Sequence, residues 1–231
     1  MNLSDLITDR ATKYGNREFL YFERQASNNS LGTNQDSFRQ TLSFIGLEHR
    51  VNQACHYLSS QGLAQGDVFN LHLPNCPAFL ILWFAGARLG AVMMPTNVLA
   101  SAEELAYLLE HSSSKIAFTT SEHLQTLNQC RNRIDCLEKI ILCDPYSHDP
   151  AVDSFESMLV RQPDTSWNCP ASETDMTAIM YTSGTTSKPK GVMVTHANYL
   201  AAGQTVADAI ELGESDRHFI VHGITAPLEE T

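Results

Sequence analysis

The segment from Tyr181 to Gly191 has the side chains and the backbone freedom that a phosphate-binding loop needs. It combines five aliphatic hydroxyls, two lysines and two glycines between two apolar segments. Glycines allow backbone N–H groups to face a ligand, and amides, hydroxyls and ammonium groups can all donate to phosphate oxygens. The segment therefore predicts a site that binds the phosphates of a nucleotide. The candidate binding residues are Thr182, Ser183, Gly184, Thr185, Thr186, Ser187, Lys188, Lys190 and Gly191.

The flanking sequence predicts the elements that would hold this loop. Met176–Tyr181 is typical of a short buried strand, and Gly191–Thr195 alternates like a second strand. A helix is predicted over residues 196–210 with Thr195 as its N-cap, and His196 at its start is expected to be solvated or to cap the helix. The predicted apolar face of this helix consists of Tyr199, Gly203, Val206 and Ile210.

Two other interpretations of the loop are weaker. A Walker A loop requires the pattern G-x-x-x-x-G-K-[ST], whereas Gly184 and Gly191 lie too far apart and no Gly-Lys-Ser/Thr follows. A solvated linker would also be rich in serine, glycine and lysine. A strand before the loop, and a strand and a capped helix after it, favour a binding loop over a linker.

In this setting the loop resembles the phosphate-loop signature of the adenylate-forming acyl-CoA synthetase superfamily, a Ser/Thr/Gly-rich stretch that ends in Pro-Lys-Gly. The matching residues are Thr182–Thr186, Pro189–Gly191 and the following Thr195-His196-x-Asn198. Ser187 stands where most members have glycine, and in this it is similar to the crotonobetaine/carnitine–CoA ligases.

Segments upstream of the loop also resemble this superfamily. They are Leu73–Pro77, which opens an apolar helix, and Gly90–Asn97, which turns from that helix into a buried strand. The resemblance covers residues 1 to about 219. It implies an α/β fold of layered, largely parallel sheets flanked by helices.

The resemblance also implies a reaction and its reactants. In the family, a small-molecule carboxylate attacks ATP, releases pyrophosphate and forms an acyl-adenylate, and the thiol of coenzyme A then displaces AMP. Mg²⁺ and fixed donors would neutralise the phosphate charge, with Lys190 and the loop amides and hydroxyls holding the β- and γ-phosphates. A loop threonine could reach the metal, but the sequence does not indicate which one, and it assigns no catalytic residue.

The resemblance further implies that functional segments of the family are absent from these 231 residues. Full members are more than twice as long, and their adenine, ribose and metal-completing residues and the lysine of their small C-terminal domain lie downstream. We therefore expect an incomplete N-terminal domain that is inactive alone. The alternatives are a non-catalytic remnant that binds nucleotide phosphates or nothing, and a half-protein completed by a separate C-terminal chain.

Bulk properties exclude other classes. The formal net charge is −11, from 26 acidic and 15 basic residues, which argues against nucleic acid as a partner. The most apolar run, Ala78–Ala87, is too short to span a membrane, and the N-terminus lacks the pattern of a secretory signal. Six cysteines without a C-x-x-C pair or a zinc-like grouping predict reduced thiols and a cytoplasmic protein.

The remaining sequence predicts strands that alternate with helices, which is typical of a largely parallel sheet covered on both faces. Asn75 is expected to cap the helix that Pro77 opens, and Ser101 with Glu104 forms a capping-box pattern. Proline-rich sequence over 146–173 predicts a connector between a first βα layer, 1–145, and the start of a second layer with the phosphate loop, 174–231.

Overall fold

A computed structural model describes residues 1–24, 38–143, 155–182 and 188–220 of the chain. The described helices are α1 Leu3–Tyr14, α2 Phe44–Ser60, α3 Pro77–Leu89, α4 Ala102–Ser112, α5 Leu124–Arg131, α6 Phe155–Leu159 and α7 His196–Ala209. The strands are β1 Glu18–Arg24, β2 Phe38–Ser43, β3 Val68–His72, β4 Val92–Pro95, β5 Ile116–Thr119, β6 Lys139–Leu142, β7 Met176–Thr182 and β8 Lys190–Thr195.

Six of these strands form one sheet with the order β6-β5-β3-β4-β7-β8. The first five are parallel to their neighbours, and β8 alone runs antiparallel, beside β7. The strands β1 and β2 form a separate antiparallel pair. The predicted α/β fold with a largely parallel sheet is therefore confirmed.

Helices cover both faces of this sheet because its strands point apolar side chains to both sides. On one face Phe69 and Phe118 pack with residues of α2 and α3, including Val51 and Ile81. On the other face Met94 and Ala117 pack with residues of α4 and α5 such as Leu105, Leu109 and Leu127. The sequence predicts a helix with Leu47, Val51, Ala54, Cys55 and Leu58 on one face, and all five are buried in α2.

A residue in the left-handed backbone conformation caps the C-terminus of α3, two residues before the buried strand β4. Gly90 has φ +80°, a backbone conformation that side chains disfavour. The helix begins differently from the prediction, because its N-cap is Cys76 and not Asn75, with no side-chain capping hydrogen bond. The N-cap predicted for α4 is present, since the Ser101 side chain accepts a hydrogen bond from the Glu104 N–H.

Arg88 fixes α1, α2 and α3 to one another. Its guanidinium is buried and donates to Glu48 Oε2 at 2.7 Å and to Asn52 Oδ1 at 2.6 Å. It also donates to the Ser4 Oγ at 2.9 Å and to the Thr8 Oγ1 at 3.1 Å. A buried charge requires such partners, so this network explains how α1 is held to the domain.

Two segments differ from the expectations. The polar sequence of residues 24–40 predicts a hairpin loop, but the strand β2 already begins at Phe38, inside this range. The helix α7 was expected to bury one apolar face, but only Tyr199 packs on the core, while Val206 and Ile210 are 54% and 55% exposed. Every residue from Ala201 to Ile210 except Ala207 is exposed, so helical spacing alone was an insufficient guide.

Both parts of the predicted domain division contribute to the six-stranded sheet. The strand β7 pairs with β4 at Met93 and Ala178 and brings β8 with it. The division into layers at 146–173 stays a prediction. Among the helices described, none combines the length and the apolar character required to cross a membrane.

Candidate functional site

The candidate phosphate loop joins the two strands of an antiparallel hairpin. Both strands were predicted, and the register of β7 and β8 pairs Thr182 with Lys190 and Tyr181 with Gly191. The hairpin thus places a threonine and a lysine on facing strands, directly before and shortly after the loop. The predicted binding residues Ser183, Gly184, Thr185, Thr186 and Ser187 lie outside the described residues.

The hairpin emerges at the carboxyl end of a parallel sheet. The strand β7 runs parallel to β4, and its last residue, Thr182, leads into the loop. Ligands of open α/β sheets bind outside the carboxyl ends of the strands, where loops provide groups without disturbing the sheet. The location therefore suits a binding site.

The two lysines of the segment have different surroundings, although both are exposed. The Lys188 ammonium lies 4.9 Å from the ring centroid of Tyr107 on α4, a cation–π distance. The hydroxyl of the same tyrosine donates to the carbonyl oxygen of Pro189 at 3.3 Å. Lys190 begins β8 opposite Thr182. Of the two ammonium groups, the one on Lys188 is thus drawn toward α4.

On the other strand of the hairpin, Tyr181 of β7 contacts α4. Its hydroxyl is 2.6 Å from Nδ1 of His111, and the two ring centroids are 5.7 Å apart. Burial first, and the nearby Tyr107 second, raise the pKa of Tyr181 to about 12. The phenol is therefore neutral at physiological pH and can donate its proton to the histidine nitrogen.

Gly191, which the sequence assigned to the binding segment, has a packing role. A Cβ at this position would lie 2.8 Å from Cγ2 of Ile179 and 3.3 Å from Cζ of Tyr181. A side chain here would therefore have to displace Ile179 or the facing Tyr181 ring. The glycine lets the two strands pack closely next to the loop.

The helix after the hairpin starts as predicted, but its histidine does not behave as expected. Thr195 and Asn198 form a reciprocal capping box, with the Asn198 N–H donating to Thr195 Oγ1 at 3.2 Å. His196 is fully buried, not solvated, and its Nδ1 accepts a hydrogen bond from the Leu3 N–H at 3.3 Å. Burial lowers the pKa of His196. It ties α1 to the start of α7.

Two residues that contact the hairpin were not singled out from the sequence as site residues. Tyr107 and His111 lie on one face of α4, because they are four residues apart. They are separated from Pro189 and Tyr181 by 82 and 70 positions respectively. Their spacing on α4 was visible in the sequence, but only the packing of α4 beside β7 shows what they touch.

No metal centre is evident in the described part of the chain, where no group of three or more His, Cys, Asp or Glu side chains lies close enough to hold an ion. The six cysteines are free thiols. Burial raises the pKa of Cys55 to about 12 and that of Cys76 to about 11. Such thiols are poor nucleophiles, which agrees with the expectation of structural cysteines.

Comparison with known proteins identifies relatives of this sequence. The sequence profile of the AMP-binding enzymes matches residues 7–225. A crotonobetaine/carnitine–CoA ligase of Citrobacter koseri is 34% identical over 224 residues, and one of Salmonella agona is 32% identical over 223 residues. Each alignment covers 95% of this chain and 41% of the relative. The chain thus spans about two fifths of the length of these curated relatives.

Solved structures agree in fold. A long-chain-fatty-acid–CoA ligase of Archaeoglobus fulgidus matches with a TM-score of 0.80 at 21% identity, over 94% of this chain and 41% of that one. The inhibitor-bound N-terminal domain of FACL13 from Mycobacterium tuberculosis matches with a TM-score of 0.69 at 26% identity, over 90% of this chain and 47% of that one. Since the family profile covers nearly the whole sequence and the fold agrees with it, this chain belongs to the family of AMP-binding enzymes.

Proposed function

We propose that this chain forms the phosphate-binding N-terminal part of an ATP-dependent acid–thiol ligase. The reaction joins a small-molecule carboxylate to ATP with release of pyrophosphate, and the acyl-adenylate then passes its acyl group to the thiol of coenzyme A with release of AMP. The observation that carries this proposal is the hairpin that sets Thr182 opposite Lys190 at the carboxyl end of a parallel sheet, in a chain of the AMP-binding family.

In this proposal the hairpin and its loop bind the β- and γ-phosphates of ATP. Lys190 provides positive charge, and Thr182 faces it from the other strand. The hydroxyl and amide groups of residues 183–187 and the segment Lys188–Gly191 complete the candidate set. Fixed donors of this kind stabilise the charge that develops on a departing pyrophosphate without having to reorganise.

Mg²⁺ would enter with the nucleotide in this scheme. When bound, it supplies charge neutralisation on the phosphate oxygens. The described residues offer hydroxyl and ammonium groups at the hairpin and no cluster of carboxylates. We therefore assign no magnesium ligand among the described residues.

The acyl substrate is proposed at the level of its class. The named relatives are crotonobetaine/carnitine–CoA ligases, and Ser187 replaces the glycine that most members of the family carry. Both points favour a carboxylate of the crotonobetaine or carnitine type over a fatty or aromatic acid. A panel of these three acid classes, tested with a chain that is extended to the length of the relatives, would separate them by which one supports AMP release.

Exchange of Lys190 for methionine tests the phosphate site. Lys190→Met removes the charge while keeping the length of the side chain, so we expect the affinity for magnesium pyrophosphate and for MgATP to fall by about 1.5–3 kcal/mol, the usual contribution of a charged hydrogen bond. The loss corresponds to roughly 10- to 150-fold in Kd. Isothermal titration calorimetry measures it directly.

Lys139→Met is the matched control. Lys139 also begins a strand, but this strand, β6, lies at the opposite edge of the sheet from β8, and its ammonium donates to the Gln61 carbonyl oxygen. It should leave both affinities unchanged. Equal affinities of the Lys190 variant and the parent would show that Lys190 does not bind the phosphates. A parent that binds neither ligand would favour the alternative that the chain is a remnant without nucleotide affinity.

We further propose that the 231 residues alone do not form an acyl-adenylate, because they correspond to 41% of the length of the curated relatives. The expected result is no carboxylate-dependent exchange of labelled pyrophosphate into ATP by the purified chain. A full-length ligase assayed in parallel with the same acids is the positive control. Exchange above the background without acid would contradict this proposal.

A second candidate is a half-protein that is completed by another chain. The edge strand β8 exposes Met193, which is 72% accessible, and the neighbouring α7 exposes Val206 and Ile210. These apolar side chains would suit a packed partner that carries the remainder of the adenylate-forming fold. Co-expression with the downstream reading frame, followed by co-purification and a pyrophosphate exchange assay, would detect such a complex.

A cytoplasmic location is part of the same proposal. It is based on six thiols that are free, four of them buried, since reduced thiols persist in the cytosol. Fractionation of cells that express a tagged chain would test it, and recovery in an oxidising compartment would contradict it.

A further inference from the structure

The helix α4 contacts both strands of the phosphate hairpin. The Tyr107 hydroxyl donates to the carbonyl oxygen of Pro189 at 3.3 Å, directly before β8. One helical turn further, His111 Nδ1 is 2.6 Å from the hydroxyl of Tyr181, next to the end of β7. One face of one helix therefore holds the segment that enters the loop and the segment that leaves it.

Aromatic packing reinforces these two hydrogen bonds. The rings of Tyr107 and His111 are 5.5 Å apart, and those of His111 and Tyr181 are 5.7 Å apart in an edge-on arrangement. The Lys188 ammonium lies 4.9 Å from the Tyr107 ring. Aromatic pairs stabilise a contact beyond the effect of their buried area, and an aromatic ring attracts a cation that lies over its face.

We propose that Tyr107 and His111 are positioning residues that hold the phosphate hairpin in its binding conformation. By drawing the Lys188 ammonium onto its ring, Tyr107 leaves the Lys190 ammonium as the group that faces the ligand. This inference rests on the proposed phosphate-binding function of the hairpin. It concerns two residues that lie 70 or more positions away in the sequence and outside the candidate binding segment.

The physical basis is the entropy of ordering a binding segment. Fixing the backbone of one residue costs about 1–2 kcal/mol, and a segment that is already held before the ligand arrives avoids part of that cost. A contact that never touches the ligand can therefore raise affinity. Close packing also constrains the hairpin at Gly191, where a Cβ would lie 2.8 Å from Cγ2 of Ile179.

Graded substitutions test the inference by calorimetry with magnesium pyrophosphate and with MgATP. Tyr107→Phe keeps the ring over Lys188 and loses only the hydrogen bond, so we expect a Kd about 3- to 5-fold higher. Tyr107→Leu loses both contacts, and we expect about 10- to 30-fold, in line with contacts that contribute about 1 kcal/mol each. His111→Ala should raise Kd about 5-fold, and His111→Gln, which can still accept from Tyr181, should restore most of the affinity.

A double-mutant cycle separates positioning through Lys188 from a general structural effect. If Tyr107 acts by holding Lys188, the loss in Tyr107→Leu/Lys188→Met should be smaller than the product of the two single losses. Tyr21→Phe is the control, because Tyr21 is exposed on β1 and its hydroxyl donates to Glu23. Its affinities should equal those of the parent. Multiplicative losses in the cycle would contradict positioning by this route.

Amide hydrogen exchange provides a readout that needs no ligand. In Tyr107→Leu and in His111→Ala, exchange should accelerate in β7 and β8, while protection in α2 and α3 should stay as in the parent. Unchanged exchange at the hairpin would overturn the inference, as would parental affinity in Tyr107→Leu. A parent that binds neither ligand would overturn the proposed function, and the exchange data would then still decide whether α4 holds the hairpin.

Discussion

At the scale of single residues, His72 has an unusual environment for a titratable group. It ends β3 and is fully buried, and its Nδ1 lies 3.0 Å from the Thr96 hydroxyl. Among the described residues its Nε2 has no hydrogen-bond partner, and the ring centroid of His123 is 5.6 Å from that of His72. Burial first, and the nearby His123 second, lower the pKa of His72 from 6.5 to about 4.

This depressed pKa predicts a loss of stability in mild acid. In the unfolded chain His72 takes up its proton near pH 6.5, whereas the folded chain resists it until about pH 4. The contribution of His72 is therefore complete above pH 6.5 and declines as the pH falls toward 4, by up to about 3 kcal/mol. Buried His196, whose pKa is also lowered, acts in the same direction.

Urea denaturation between pH 7.5 and pH 4.5 would measure the effect. In His72→Gln the free energy of unfolding should depend less on pH than in the parent, because glutamine does not titrate. His49→Gln, at an exposed position of α2, is the control for the removal of a histidine side chain. A His72→Gln curve parallel to the parental one would show that this histidine is not the source.

At the scale of elements, two glycines that belong to adjacent elements should respond in opposite ways to alanine. Gly203 lies in the middle of α7, and a methyl group added there would meet no atom within 4 Å. At Gly191 in β8, the same methyl group would lie 2.8 Å from Cγ2 of Ile179. At Gly203 there is room for a methyl group, and glycine itself lowers helix stability through its backbone entropy. At Gly191 there is no room for a methyl group.

We expect Gly203→Ala to raise the free energy of unfolding by about 0.5–1 kcal/mol, because alanine restricts the unfolded chain and fits the helix. Gly191→Ala should lower it by about 1–3 kcal/mol through overpacking. Chemical denaturation followed by circular dichroism would compare the two variants with the parent. Destabilisation by Gly203→Ala would imply that the exposed face of α7 is covered in solution.

At the scale of the whole molecule, one end of the sheet differs from the rest. In the part of the chain that the structure describes, β8 has a neighbouring strand on one side only. Exposed apolar side chains cluster on and after it, whereas the faces around β3 and β4 are closely covered by helices. An apolar edge strand is a template for pairing with another chain. The exposed members are Val192, Met193, Val206, Ile210, Leu212, Phe219 and Ile220.

This edge predicts concentration-dependent association of the isolated chain. Met193 is 72% exposed at the edge, so Met193→Lys should raise the concentration at which dimers or larger species form by about tenfold or more, since burying such a side chain contributes about 1.5–3 kcal/mol. Light scattering over a dilution series measures this. Leu99→Lys is the control, because Leu99 is 84% exposed but lies between β4 and α4 and not on β8. A parent that stays monomeric and melts cooperatively would contradict the prediction.

The contrast between α2 and α7 shows how far periodicity in the sequence is reliable. Both helices were predicted from apolar residues at helical spacing, and both exist. In α2 the predicted face is buried, while in α7 only Tyr199 of the predicted face packs on the core, partly buried against Trp83 at 5.0 Å between ring centroids. Periodicity indicates which side chains a helix can bury, but burial also requires a neighbouring element, which the sequence of the helix does not encode.

The amino-acid sequence was sufficient to predict the alternation of strands and helices, the resemblance to the adenylate-forming family and the position of the candidate phosphate-binding segment between two strands. These follow from local order, because hydrophobic period, capping residues and the Pro189–Gly191 motif are readable over a few positions. The packing of the folded chain was needed to show that His196 is buried against α1, that Gly191 packs against Ile179 and Tyr181 and that α4 contacts the hairpin. Those facts depend on contacts between residues far apart in the chain, which exist only once the sheet has brought their elements together.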